Sequence, residues 1–153
     1  MNLKILEGFL KRAKKNTYAS ESAKKAKSLR PSSKDYEYSE GLLTYHDTYF
    51  GGINFIGEEV VYAENTPQWG MNYNGYVLDS TITEAEIDKS LRGALMQEYS
   101  DLIPVRGPKL YRVEDFEYRN KINGELSRFD GREEISKNGK LIYYAVFHGG
   151  LIK

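Results

Sequence analysis

Leu3, Leu6, Leu10 and Ala13 recur at three- and four-residue intervals, with Ile5 and Phe9 beside them. Lys4, Lys11, Lys14 and Lys15 fall on the opposite side. That spacing predicts an amphipathic first helix. The stretch after it, "TYASESAKKAKSLRPSSKD", is polar, basic and small, and reads as a loop with one helical turn at Ser22–Lys27. From Tyr36 the period changes to two. Leu42, Thr44, His46 and Thr48 share one strand face, and Leu43, Tyr45, Asp47 and Tyr49 share the other. "GEEVVYAENTPQWGMNY" predicts a hairpin turning through Glu64–Pro67. Asn74-Gly75 predicts a type I′ turn that folds Tyr76–Leu78 back on Trp69–Tyr73.

Thr83 and Glu86 have the spacing of a capping box, and Ile87, Leu91, Ala94 and Leu95 continue it as the apolar stripe of a second helix. Gly93 weakens that helix by about 1 kcal/mol relative to alanine, and lets it approach a sheet closely. Pro104 and Pro108 end it and bound the connector "PVRGP". In the last third, "KLYRVEDFEYRNKI" turns at Asn123-Gly124, and "REEIS" turns at Asn138-Gly139 into "LIYYAVF". Short strands joined by turns favour antiparallel pairing of sequence neighbours. The expected fold is a single α+β domain: a strongly twisted antiparallel meander, able to curl toward a barrel, packed on two helices. Its parts are a basic helix and loop (1–34), a β meander (35–79), a helix (81–103) and a second meander (109–152). No repeat of solenoid spacing is visible, and the cassettes "YFGG" and "FHGG" are too short to establish a duplication.

Composition narrows the chemistry. With no cysteine, disulfides, zinc ribbons and thiol chemistry are excluded. No run approaches the roughly 20 apolar residues that span a bilayer, and Lys4 and Glu7 interrupt the only leader-like stretch. A cytoplasmic protein without a membrane is expected. Thirteen tyrosines bring bulk and a hydroxyl together, which suits both half-buried sheet faces and ligand surfaces. The net charge of zero is unevenly spread: residues 1–34 hold ten Lys or Arg against two Glu. That basic end either meets an acidic or nucleic-acid partner or docks on the acidic remainder of the chain.

Candidate chemistry gathers in four segments. "HDTYFGGINFIGEE" offers His46, Asp47, Tyr49, Glu58 and Glu59 around Gly51, Gly52 and Gly57. Its glycines lack the strand-to-helix context of a phosphate loop. Adjacent residues on a strand face opposite ways, so neither Glu58/Glu59 nor Glu133/Glu134 forms a dyad by itself. His46 and His148 lack a metal-ligand spacing, so neither metal nor cofactor is expected. Trp69, Met71 and Tyr73 share a strand face, with Asn72 and Asn74 on the other. Arg106, in a constrained loop, is the candidate anion contact.

Together "DTYFGGINFIGEEVVY", "PQWGMNYNGYVLD", "RGPKLY" and "FHGGLI" resemble an uncharacterised bacterial family of unknown function. The resemblance spans roughly residues 5–152. It implies a stand-alone protein, or the partner of a Cro/Xre-type helix-turn-helix regulator, and brings no known reaction or ligand. This chain has no helix-turn-helix of its own, which argues against direct operator binding. The expected function is a small ligand-binding or sensing module of a regulatory system. Tyr49, Gly51, Gly52, Glu58, Glu59, Trp69, Asn72, Tyr73, Arg106 and His148 would line one pocket for a small polar or anionic molecule at the sheet rim. "YFGG" and "FHGG" would sit on neighbouring strands. The alternatives are a hydrolase-like enzyme with a Glu/His pair at that rim, and a nucleic-acid or protein-interaction module working through the basic N-terminal region.

Overall fold

Two helices and eight strands follow in the order α1 (Leu3–Asn16), β1 (Lys34–Glu40), β2 (Leu43–Gly51), β3 (Phe55–Ala63), β4 (Thr66–Val77), α2 (Glu84–Leu95), β5 (Leu110–Val113), β6 (Phe116–Glu125), β7 (Arg128–Lys137) and β8 (Lys140–Leu151). They come from a computed structural model, which describes residues 1–17 and 25–153. The first half of the turn expected at Ser22–Lys27 (22–24) lies outside the described residues, and residues 25–27 are not helical. Both helices start where the sequence places a cap. Asn2 accepts from the amides of Lys4 and Ile5, and Thr83 with Glu86 completes a reciprocal capping box. Lys14 and Lys15 in the last turn of α1 complement its dipole.

All eight strands form one antiparallel sheet, ordered β1-β2-β3-β4-β8-β7-β6-β5, with β1 and β5 as free edges rather than the seam of a barrel. The α+β class and the two packed helices are as expected. The order hides a second regularity. Each helix precedes a four-stranded meander, and the last strands of the two meanders, β4 and β8, pair with each other. Met71 faces Gly149 across that seam, and Gly75 faces Ala145.

The two α-β4 units agree residue by residue. Phe55, Gly57, Glu59 and Val61 on β3 match Phe129, Gly131, Glu133 and Ile135 on β7. Opposite them stand Gly75, Tyr73, Met71 and Trp69 on β4, and Gly149, Phe147, Ala145 and Tyr143 on β8. Each unit has its register shift at the same place, after Val61 and after Ile135. Gly51 (φ +95°) and Gly124 (φ +92°) close β2 and β6 in equivalent positions. The seam is therefore a pseudo-two-fold axis.

Aromatic–glycine pairs explain the glycines that the turn rules misassign. Phe55 covers Gly75, Tyr73 covers Gly57, Phe147 covers Gly131 and Phe129 covers Gly149, each directly across a strand pair. A Cβ added at Gly131 would stand 2.3 Å from the Phe147 ring. Asn74-Gly75 is thus mid-strand in β4, where Gly75 makes room for a ring, and Tyr76–Val77 run on beside β8. Asn123-Gly124 also lies inside a strand, and the turn follows at Leu126-Ser127. Glu64-Asn65 and Asn138-Gly139 do turn the chain, with positive φ at all four residues. Glu114, also at positive φ, adds a turn that splits "KLYRVEDFEYRNKI" into two strands.

The helices cover one face of the sheet, α1 lying on β1 and β2 and α2 on β5, β6 and β7. Leu6, Phe9, Leu10 and Ala13 of α1 are wholly buried in one core cluster with Trp69, Phe129 and Phe147. Ile87, Leu91 and Ala94 of α2 pack in a second with Tyr118, Ile135 and Tyr143. Leu3 and Ile5 stay exposed, because the buried stripe of α1 starts at Leu6. Gly93 admits the Tyr111 side chain, whose hydroxyl a Cβ would meet at 2.8 Å and whose ring at 3.0 Å. Much of the basic end docks on the body: Arg12 pairs with Glu40, Lys14 with Glu59, Lys15 with Glu98 and Arg30 with Glu58.

Replacing Gly131 by alanine is expected to cost about 1–3 kcal/mol, as overpacking does. Gly8→Ala on α1, where a Cβ would meet only the flexible Arg12 side chain at an ordinary 3.4 Å, should instead raise stability by up to about 1 kcal/mol. Denaturant unfolding of the two variants measures both.

Candidate functional site

Between α1, α2 and the inner face of β2–β4 the two core clusters leave a narrow cleft. Tyr45, Asp47 and Tyr49 project into it from β2, Phe55 and Glu59 from β3, and Tyr73 from β4. Lys14, Glu84, Asp88, Leu95 and Arg106 close it. Its free volume is about 40 Å³, room for a few waters or a compact group. A wider groove of about 280 Å³ adjoins it beyond Lys14 and Arg106, lined by Lys11, Lys15, Tyr99 and Pro104.

Strand alternation sets the wall. Tyr45, Asp47 and Tyr49 point inward because Thr44, His46 and Thr48 point out, and Asp47 lies directly opposite Glu59 in the ladder. Two buried carboxylates so placed need cations. Lys14 Nζ stands 2.5 Å from Glu59 Oε2 and 5.9 Å from the Tyr45 ring centre. Burial holds the Lys14 ammonium below its usual pKa, with Glu59 opposing that shift.

Arg106 lies against Glu133 in a bidentate pair, Nε to Oε2 at 3.0 Å and Nη2 to Oε1 at 2.6 Å. Burial works against its charge, but the Glu133 charge and hydrogen bonds hold Arg106 well above its ordinary pKa. Tyr118 and Tyr143 also donate to Glu133, at 2.7 and 2.9 Å. The Arg106 guanidinium lies 5.5 Å from the centre of the Tyr73 ring, so this buried pair forms the cleft's back wall.

Asp47 is different. The Tyr73 hydroxyl donates to its Oδ1 at 2.6 Å, and no lysine or arginine among the described residues forms an ion pair with it. Burial, followed by the charge of Glu59, raises its pKa from 3.8 to about 7.

The residues expected to share one pocket divide among several places. Tyr49, Gly52, Glu59, Tyr73 and Arg106 do line the cleft. Glu58, Asn72 and His148 form a cross-strand row on the opposite face, because each is one residue out of phase with the inward positions. Trp69 is wholly buried, its indole N–H donating to Leu126 O at 3.0 Å. Gly51 closes β2 at positive φ. "YFGG" and "FHGG" are not on neighbouring strands, since β3 and β4 separate β2 from β8. Their counterparts under the pseudo-two-fold are "INGE" (122–125) and "YNGY" (73–76).

The Glu/His pair is not assembled: Glu58 binds Arg30, Glu59 binds Lys14, and His46 Nε2 meets Asp35 at 3.0 Å. Among the described residues no group of three or more His, Asp or Glu is placed to hold a metal ion. Asp47, Tyr45, Phe55, Lys14 and Glu133 complete the site beyond the expected set. Alternation with Tyr49 already places Tyr45 and Asp47 on its face. Nothing local in the sequence brings Lys14 or Glu133 there.

The matching family is described as a domain of unknown function (DUF5680), and its profile covers residues 47–152. The chain belongs to this family, and α1 with its Lys14 lies outside the matched span. No curated protein and no solved structure matches the chain. Among the described residues no helix is long and apolar enough to cross a membrane.

Asp47 links stability to pH. Because its folded pKa is raised, the folded chain keeps a proton between about pH 4 and 7 that the unfolded chain releases. The stabilisation is full below about pH 4 and lost as pH rises through about 7. Wild type should therefore lose up to about 4 kcal/mol relative to Asp47→Asn between pH 4 and 8, which paired urea titrations would show. Glu133→Gln strands the Arg106 charge and should cost about 3–5 kcal/mol in the same assay.

Proposed function

We propose that the chain is a small-molecule-binding module that serves a regulatory system, its ligand seated in the cleft between the helices. One observation carries this: a buried carboxylate, without an ion pair among the described residues, faces a cavity walled by four aromatic rings. Convergent polar groups in a mostly apolar concavity are what small-molecule sites present. The resemblance to domains carried behind Cro/Xre-type helix-turn-helix regulators fits a sensing role. Closure of the cleft by α1 would let occupancy alter how that helix sits.

A second reading rests on Asp47 alone. A buried acid titrating near pH 7, hydrogen-bonded to a tyrosine, is suited to proton transfer.

Native mass spectrometry of freshly purified protein separates these readings. Binding predicts a retained small molecule, recovered unchanged, that disappears in Leu95→Trp, where the indole fills the cleft. Recovery of an altered molecule on incubation would favour catalysis. Equal retention by wild type and Leu95→Trp would place the ligand elsewhere and overturn the cleft as the site.

A further inference from the structure

The pseudo-two-fold makes each unit a control for the other. In both, a buried glutamate projects from the third strand and holds a cation supplied by the chain: Lys14 on Glu59, and Arg106 on Glu133. Beside each glutamate, on the second strand, stand Asp47 in the first unit and Asn120 in the second. Asn120 is neutral and donates to Gly107 O at 2.7 Å, so the second unit needs no further cation, although the buried Asn120 Oδ1 itself has no hydrogen-bond partner among the described residues. The first unit carries one carboxylate more, and among the described residues no further cation forms an ion pair with it.

Resting on the cleft as the ligand site, we infer that it takes a small organic ammonium ion as the counter-ion of Asp47, caged by Tyr45, Tyr49, Phe55 and Tyr73. The chain's own Lys14 shows that an ammonium group is accepted here, lying between Glu59 and the face of Tyr45. Rings turned toward a desolvated cation add to the attraction. An anion would meet Asp47 and Glu59 at the floor and Glu84 and Asp88 at the mouth. Lys14 and Arg106 are committed to glutamates. Asp88 is 3.5 Å from Arg92, and among the described residues no further lysine or arginine lines the cleft. With this proposal Arg106 is a wall of the site and not its anion anchor.

The cation competes with the Asp47 proton. Among the described residues the charged and titratable groups around Asp47 are Tyr45 and Tyr49 on its own strand, Glu59 from β3, Tyr73 from β4, Lys14 from α1, Arg106 from its loop, and Glu84 and Asp88 from α2, with Arg92 paired to Asp88. Burial and the charge of Glu59 raise the Asp47 pKa to about 7. The binding-competent fraction rises from a few per cent at pH 5.5 to about nine-tenths at pH 8.0, so affinity should increase about thirtyfold over that range.

Nuclear magnetic resonance titration of the full chain with trimethylammonium, its neutral near-isostere tert-butanol, and acetate tests this. Trimethylammonium should shift the Tyr45 and Tyr73 resonances saturably, bind about thirtyfold tighter at pH 8.0 than at 5.5, and lose at least tenfold in affinity in Asp47→Asn. That variant folds on this view, because asparagine occupies the equivalent place in the other unit. Glu58→Gln, on the far face, should bind as wild type does. Equal binding of tert-butanol, preference for acetate, or undiminished affinity in Asp47→Asn would overturn the cation and leave the cleft as a site of other chemistry. Failure of all three probes to perturb the cleft, with native mass spectrometry also finding it empty, would overturn both.

Discussion

The buried pair of Arg106 and Glu133 constrains everything around the cleft. Glu133 has no exposure to solvent, and a carboxylate so placed is tolerable only when its charge and hydrogen-bonding capacity are met. The bidentate guanidinium and the hydroxyls of Tyr118 and Tyr143 meet them. Gly107 N donates to the Tyr118 hydroxyl, Tyr99 donates to the Arg106 carbonyl, and Asn120 holds the carbonyl of Gly107. The connector after α2 is thereby fixed to the second meander. Arg106 then lies beneath Tyr73 of the first, so one ion pair ties the two units together behind the site.

Repetition supplies the frame and divergence the chemistry. Reciprocal aromatic–glycine pairs occur in both units, each glycine leaving room on the inner face for the ring across from it. On this common frame the second unit is a charge-balanced core, with Asn120, Ile122 and Phe147 where the first has Asp47, Tyr49 and Tyr73. The polar member of each pair gathers on one side, and there the cleft opens.

Much of the frame was legible in sequence because its signals are local. The capping box at Thr83, the stripe of α1, and the alternation placing Tyr45, Asp47 and Tyr49 together all depend on residues within one element. What failed was non-local. A glycine serves a turn by adopting positive φ, and serves a sheet by leaving space for a ring on the next strand. The dipeptide alone does not distinguish Asn138-Gly139 from Asn74-Gly75. Pairing of β4 with β8 joins residues some seventy positions apart, so neither the seam nor the equivalence of Glu59 with Glu133 could be read from turn chemistry. Glu58, Asn72 and His148 were grouped with inward residues by proximity in sequence, although the two-residue period separates them.

The state of Asp47 decides whether the cleft can hold a cation. Carbon-detected magnetic resonance titration of its side-chain carboxyl in the ligand-free chain measures this directly. A midpoint near pH 7 is predicted, falling when a cation is bound, because burial beside Glu59 disfavours the charge until a counter-ion arrives. A midpoint near 4, unmoved by any cation, would mean that the carboxylate is already solvated or paired, and would contradict the picture.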